Sequence, residues 1–252
     1  MLKVRIIPIL LLKNGRMVKG KQFSDFRDTG DPVFASRIYN AQFVDELIFL
    51  DITATNEGRE TNFEIIELVS KECFMPLTIG GGISNISQIR KLLKAGADKV
   101  VINTAAVNTS QFVEDAAAVF GSQCIVIGID VRYEEGRYVV YTNSGKAKTD
   151  LLLEEHIVNM ERLGAGEIFI NSIDCDGMMK GYDMELIKLV LTYTTLPVIA
   201  CGGAGNFMHL VDAYKQTGVG ALAMASIYHF GDNNPVRARS YLKNQDINIK
   251  IV

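Results

Sequence analysis

Two glycine-rich stretches carry the first chemical signal in this chain. Gly80-Gly81-Gly82 ends the apolar run PLTI, and Gly202-Gly203-Ala204-Gly205 ends PVIAC. Glycine lets a backbone approach a ligand closely and turn its N–H groups toward an anion, and a helix starting there adds its dipole. Hydroxyl and amide donors stand at neighbouring strand ends, Asn103-Thr104 in one case and Ser226 in the other. Glycines can also serve only to make tight turns. Two motifs placed symmetrically and flanked by donors favour anion binding, and suit a substrate with a phosphate at each end. Asp174-Cys175-Asp176-Gly177 follows another strand on the same rim, where it can contact substrate or shape a turn. Lys19 belongs to a polar, glycine-punctuated loop over 13–30, a candidate lid. A lysine there can clamp a phosphate, although most loop lysines are simply solvated. His156, His209 and His229 are scattered, as packing or surface residues would be. Cys73, Cys124, Cys175 and Cys201 lie far apart without zinc or disulfide spacing, so no metal site is expected, and no cofactor.

The elements that must position these residues follow from periodicity. Strands are expected near 4–12, 46–51, 76–80, 98–103, 123–130, 167–171, 197–201 and 220–225. Most are nearly continuous in apolar residues, as strands buried on both faces should be. Helical patterns lie between them over 31–43, 62–73, 85–95, 109–119, 151–164, 183–194, 206–217 and 235–244. Ser84-Asn85, Asn108-Thr109 and Asp183 offer caps at three starts, and Gly96, Gly164 and Gly218 offer left-handed stops. Eight strands alternating with eight helices indicate a parallel (β/α)8 barrel of the TIM type, the alternative being a doubly wound open sheet.

Internal repetition favours the barrel. LIFLD (47–51) resembles EIFIN (167–171), LTIGGGI (77–83) resembles IACGGAG (199–205), and KVVINTA (99–105) resembles GALAMAS (220–226). The separation is about 120 residues, which makes two (βα)4 half-barrels closing on each other. RIIPILLLKNG (5–15) likewise matches CIVIGIDVRYEEG (124–136). Asp130 ends the fifth strand, and the matching place at the end of the first is Leu11, in a run with no side chain that titrates near neutral pH.

Bulk properties narrow the function classes. The 252 residues suffice for one barrel domain spanning 1–252, since such barrels need about 250. A net charge of −3 supplies no general basic field for nucleic acid. No run approaches the roughly 18 apolar residues of a membrane span, and Ile6–Leu12 reads as a strand rather than a signal-peptide core. Cysteine usage fits a reducing cytoplasm.

Over essentially its whole length the chain resembles the cyclase subunit of imidazole glycerol phosphate synthase. The stretches that carry the resemblance are GRMVKG, DELIFLDITA, GGGI, GADKVVINTAAV, FGSQ, ID at 129–130, GAGEI, SIDCDG, GYD, LPVIACGGAG and SIYHF. The related barrel isomerase of histidine synthesis shares the repeat but fits these motifs less closely. The resemblance implies a bis-phosphorylated aminoimidazole-carboxamide ribonucleotide at the C-terminal mouth. It also implies ammonia from a glutaminase subunit docked at the N-terminal face, where Asp98 and Gln123 match docking positions. The implied phosphate contacts are Gly82, Asn103, Thr104, Asp176, Gly177, Gly203 and Ser226, with Lys19. The implied ammonia gate is Arg5, Glu46, Lys99 and Glu167, each at a strand start. The family's acid–base pair corresponds to Asp130 and to the position held here by Leu11.

Leucine can neither take nor give a proton, and loss of one positioned proton-transfer group costs about 10² to 10⁴ in rate. Asn14 stands in KNG where KDG is common, Cys175 where arginine is usual, and Asn171 where threonine is usual. The run PILLLKNG is similar to cyclase-like subunits of surface-polysaccharide clusters. Those accompany a glutaminase and an ATP-dependent enzyme that aminates sugars. The expectation is therefore a subunit that relays ammonia to such a partner and has given up cyclisation. The competing readings are a histidine-pathway cyclase working with Asp130 alone, and a non-catalytic phosphosugar-binding scaffold.

Overall fold

The computed structural model describes residues 3–250. In chain order the strands are β1 (Arg5–Lys13), β2 (Arg16–Lys21), β3 (Ser24–Gly30), β4 (Leu47–Asp51), β5 (Leu77–Gly80) and β6 (Lys99–Ile102). They continue as β7 (Ile125–Glu134), β8 (Arg137–Thr142), β9 (Ala147–Leu152), β10 (Glu167–Ser172), β11 (Val198–Cys201) and β12 (Ala221–Met224). The helices are α1 (Pro32–Ala41), α2 (Phe63–Ser70), α3 (Ile86–Lys94), α4 (Thr104–Asn108) and α5 (Gln111–Phe120). They are followed by α6 (Leu153–Arg162), α7 (Met184–Tyr193), α8 (Phe207–Thr217), α9 (Ser226–His229) and α10 (Pro235–Lys243).

Eight strands close a parallel barrel. β1 pairs with β4, followed by β5, β6, β7, β10, β11 and β12, and β12 returns to β1 through Arg5↔Ala221 to Pro8↔Met224. Closure excludes the doubly wound sheet. Alternation along each strand divides the buried residues in two. Ile7, Ile9, Ile48, Val101, Val126, Phe169 and Ile199 fill the barrel interior with Ala221 and Ala223. The opposite faces, such as Ile6, Leu10, Phe49 and Ile127, pack under the helices.

The helix caps follow from their side chains. Asn85 accepts from the Gln88 N–H and Asp183 from the Leu186 N–H, as expected. Gly96, Gly164 and Gly218 all have positive φ at helix ends. The Asn108-Thr109 cap is a correction. Asn108 closes the short α4, and α5 starts after Ser110 with no side-chain cap bond. Both α4 and α9 are extra turns after the fourth strand of a half, at positions the repeat equates.

The larger correction concerns 13–30. It is an antiparallel ribbon, not a loop: β1 runs on past the barrel wall and pairs with β2, which pairs with β3. The second half repeats this device, with β7 running on into β8 and β9. Residues 151–152 therefore belong to β9, and the helix begins at Leu153. The KNG and EEG turns that appear in the repeat are the hairpin tips. Asn14 and Glu135 take positive φ there, beside Gly15 and Gly136.

Candidate active site at the barrel mouth and a charged ring at its base

The strand ends and both ribbons enclose a cavity of about 470 Å³ at the C-terminal mouth. Its floor is apolar, made by Ile9, Leu11, Leu50, Val101, Phe169 and Ala223. Asp130 rises from this floor. Its carboxylate accepts from Asn103 Nδ2 at 2.9 Å and from Asn171 Nδ2 at 3.4 Å. Burial inside the barrel pushes the Asp130 carboxyl up to about 7, against the two amide hydrogen bonds and helped by the negative charge of Asp176. Near neutral pH this group is therefore divided between acid and base forms, as proton transfer requires.

Leu11 occupies the matching place. It pairs with Leu50 in the barrel wall and with Val18 in the ribbon; Asp130 pairs with Asn171 in the wall and with Tyr141 in the ribbon. Both residues sit where a strand leaves the barrel, and both line the cavity. The remaining lining carboxylates are Asp51, Glu57 and Asp176. Asp51 is gripped by Arg59 through contacts of 2.6 and 3.0 Å and also accepts backbone N–H groups from Ala54 and Asn62. Glu57 pairs with the same arginine at 2.6 Å. Asp176 pairs with Lys19 at 2.6 Å. Among the described residues lining the cavity, Asp130 is the carboxylate without a cationic partner. Cys201 shares the interior, where burial raises its thiol far above neutral pH and keeps it protonated.

Lys19 lies on β2, not in a loop, and is 3% exposed. Its ion pair with Asp176 ties the first ribbon to the 174–177 turn, which also receives Gln22 N–H on the Asp176 carbonyl at 2.8 Å. Gly177 packs against the Gly20 carbonyl, where no Cβ would fit. The ribbon thus lies across the mouth. Phe23 and Phe26 enter the lining from it, and Lys13 Nζ sits 4.9 Å from the Phe26 ring centre.

The expected phosphate contacts separate into two groups. Asn103, Asp176, Gly177, Gly203 and Ser226 line the cavity with Lys19; Gly82 and Thr104 are not among the residues that line it. The Gly82 N–H donates to Thr55 Oγ1 at 3.2 Å, and Thr104 Oγ1 accepts from the Asn143 N–H at 3.1 Å. Ser226 Oγ is buried without a hydrogen-bond partner. Nothing in the motifs marks Ser144 and Lys146, which reach the lining from the turn between β8 and β9. The signal for that ribbon is present in RYVVYT, whose β-branched and aromatic residues suit a strand.

At the other end of the barrel Arg5, Glu46, Lys99 and Glu167 come together. Arg5 contacts Glu46 at 2.8 Å and also Glu167, while Lys99 contacts Glu46 at 3.1 Å and Glu167 at 2.9 Å. The four charges alternate in a closed ring. Thr78 Oγ1 donates to Glu46 Oε1 at 2.6 Å, a brace that spacing alone does not reveal. Inward of the ring lies the apolar interior.

Asp98 accepts from the Leu77 N–H at 2.8 Å, and Gln123 is exposed within the short turn Ser122–Cys124. His156 and His229 are packed inside, where burial lowers both rings to about 4, and His209 accepts from the Gly205 N–H. All four cysteines are free. No group of side chains suited to holding a metal ion occurs among the described residues. No helix among them is long and apolar enough to cross a membrane. A family model described as Histidine biosynthesis protein matches residues 5–234.

Proposed function

Because the chain belongs to the histidine-biosynthesis protein family, matched from residue 5 to residue 234, we propose that it is a cyclase-type subunit that relays ammonia rather than cyclising a ribonucleotide. A glutaminase docks at the ring of Arg5, Glu46, Lys99 and Glu167 and releases ammonia there. Neutral NH3 crosses the apolar interior, while ammonium is disfavoured because an unpaired charge in that interior is costly. The mouth delivers it to a partner, an ATP-dependent enzyme that aminates a sugar, and holds a phosphorylated small molecule or phosphate ion.

The observation that carries this reading is the place of Leu11. Cyclisation needs one group to remove a proton and another to supply one. Asp130 is poised for one role, but hydrocarbon stands at the matching position. Asp51, Glu57 and Asp176 are held in ion pairs and do not fill the gap.

Relay is tested with amide-15N glutamine supplied to the complex of this chain, its glutaminase and the aminating partner in excess unlabelled ammonium. Channelled transfer gives an aminated product rich in 15N, and an Arg5→Ala variant that opens the ring lowers the enrichment. Product nitrogen matching the bath ammonium in both proteins rules out relay. A second reading, a histidine-pathway cyclase, draws on one observation: the Asp130 carboxyl at about 7 suits acid–base work by itself.

A further inference from the structure

Of the carboxylates that line the cavity, Asp51 and Glu57 pair with Arg59, and Asp176 pairs with Lys19. Asp130 has amide neighbours instead, accepting from Asn103 Nδ2 at 2.9 Å and from Asn171 Nδ2 at 3.4 Å. It also stands where the barrel interior ends. Ile9, Val101, Phe169 and Ala223 belong to the interior packing and line the cavity as well. A small molecule that crosses the interior therefore emerges among these side chains and Asp130. Across the barrel the equivalent position is Leu11, which offers no acceptor.

The surroundings of Asp130 depend on a missing side chain. Gly128 precedes it by two residues on the same face of β7, and a Cβ there would meet Val101 Cγ1 at 2.8 Å and Asn103 Nδ2 at 3.7 Å. Glycine thus lets Val101 and the Asn103 amide pack close against β7, which brings Nδ2 to the carboxylate. With Nδ2 used in this way, Asn103 Oδ1 is an acceptor to which no described residue donates. Burial disfavours the lone Asp130 anion, and the charge of Asp176 adds to that. The lysines of the lining are placed elsewhere. Lys19 is committed to Asp176 at 2.6 Å, Lys13 sits 4.9 Å from the Phe26 ring centre, and Lys146 is exposed on the turn after β8. A small cation that donates N–H groups would supply both the missing charge and hydrogen bonds to it.

We propose that Asp130 and Asn103 form an ammonium-binding site where the barrel interior opens into the mouth. Ammonia that has crossed the barrel takes the proton of the neutral Asp130 carboxyl. The O–H bond breaks, an N–H bond forms, and an ammonium–carboxylate pair remains. The cation donates to the Asp130 carboxylate and to Asn103 Oδ1. When the acceptor takes up ammonia, the proton returns to the same carboxylate. The site thus retains nitrogen that the partner has not yet consumed. This rests on the reading of the barrel as an ammonia conduit and adds what receives the ammonia at its exit.

The test is a pH titration by NMR of the full chain carrying 13C at its aspartate carboxyl carbons, with the Asp130 signal identified by its absence from Asp130→Asn. The probe is ammonium chloride, compared with potassium chloride and tetramethylammonium chloride at one ionic strength. Tetramethylammonium carries the charge without an N–H. Ammonium binds the ionised carboxylate, so it should lower the Asp130 midpoint by about one pH unit relative to tetramethylammonium, the effect of a roughly tenfold excess over its dissociation constant. Potassium should give less than about a third of that lowering. Asn103→Ala should shrink the ammonium effect to about a third, as loss of one hydrogen bond to a charged group weakens binding about tenfold. The same midpoint in ammonium and tetramethylammonium overturns the site. An equal lowering by potassium makes it a place for any small cation and overturns the ammonium assignment. An undiminished effect in Asn103→Ala overturns the part given to Asn103. The 15N enrichment of the complex is a separate readout, so failure of the relay and failure of ammonium binding are told apart.

Discussion

Replacing Asp130 by asparagine should stabilise this protein, and more so as pH rises. The carboxyl titrates at about 7 in the folded chain against a reference of 3.8. Its folded pKa is raised, so the folded state binds more protons between those values, and wild-type stability falls as pH rises through that window. The full span of about three pH units corresponds to about 4 kcal/mol, of which about 2–3 kcal/mol lies between pH 5 and pH 8. Asparagine has the same shape and no charge to desolvate. Its Oδ1 accepts from one of Asn103 and Asn171 as the carboxylate did, and its Nδ2 donates to the other once that amide turns its oxygen inward, so both hydrogen bonds survive. The assay is urea unfolding of wild type and Asp130→Asn at half-unit steps from pH 5 to pH 8. The difference in unfolding free energy should widen steadily toward pH 8 in favour of the variant. Parallel pH profiles would show that the carboxylate is not penalised by burial, and the acid–base assignment of Asp130 would fail with it.

Three further outcomes follow from the same geometry. His156 is buried with Nε2 unpaired and its ring lowered to about 4, so stability is full above pH 6.5 and is lost as pH falls toward 4. His156→Phe should flatten unfolding midpoints across pH 4.5–7; an unchanged slope refutes that cause. Lys19→Ala strands Asp176 in a buried place and should cost about 3 kcal/mol, largely recovered in Lys19→Ala with Asp176→Asn. Thermal unfolding reads this, and additive losses in the double variant would contradict it. Gly203→Ala places a Cβ on the Gly181 carbonyl at a φ of +104°, and should lower the unfolding midpoint by more than Gly218→Ala, whose Cβ meets nothing within 4 Å. Equal shifts would mean the turn yields easily.

The barrel was legible because buried parallel strands leave continuous apolar runs, and because the halves repeat. The opposed positions of Leu11 and Asp130 were legible for the same reason, since the repeat fixes equivalence without coordinates. The ribbons were not. Arg16–Lys21 mixes charge with small apolar residues, and its pairing depends on β1 overrunning the barrel wall, a tertiary fact. Lys19 therefore reads as a solvated loop lysine, although its buried partner lies 157 residues away. The ring at the base shows the converse. Its four charges stand at four strand starts, and only closure of the sheet brings Arg5 to Glu167. Which donors face the cavity was equally hidden, because Asn143 and Thr55 reach Thr104 and Gly82 from distant turns.

The missing carboxylate at position 11 is tested most directly by turnover of the aminoimidazole-carboxamide ribonucleotide under saturating ammonium, with imidazole glycerol phosphate as the readout. Wild type should form it at least about 10²-fold more slowly than Leu11→Asp, the contribution of one positioned proton-transfer group. Wild-type turnover equal to that of the aspartate variant would contradict the account.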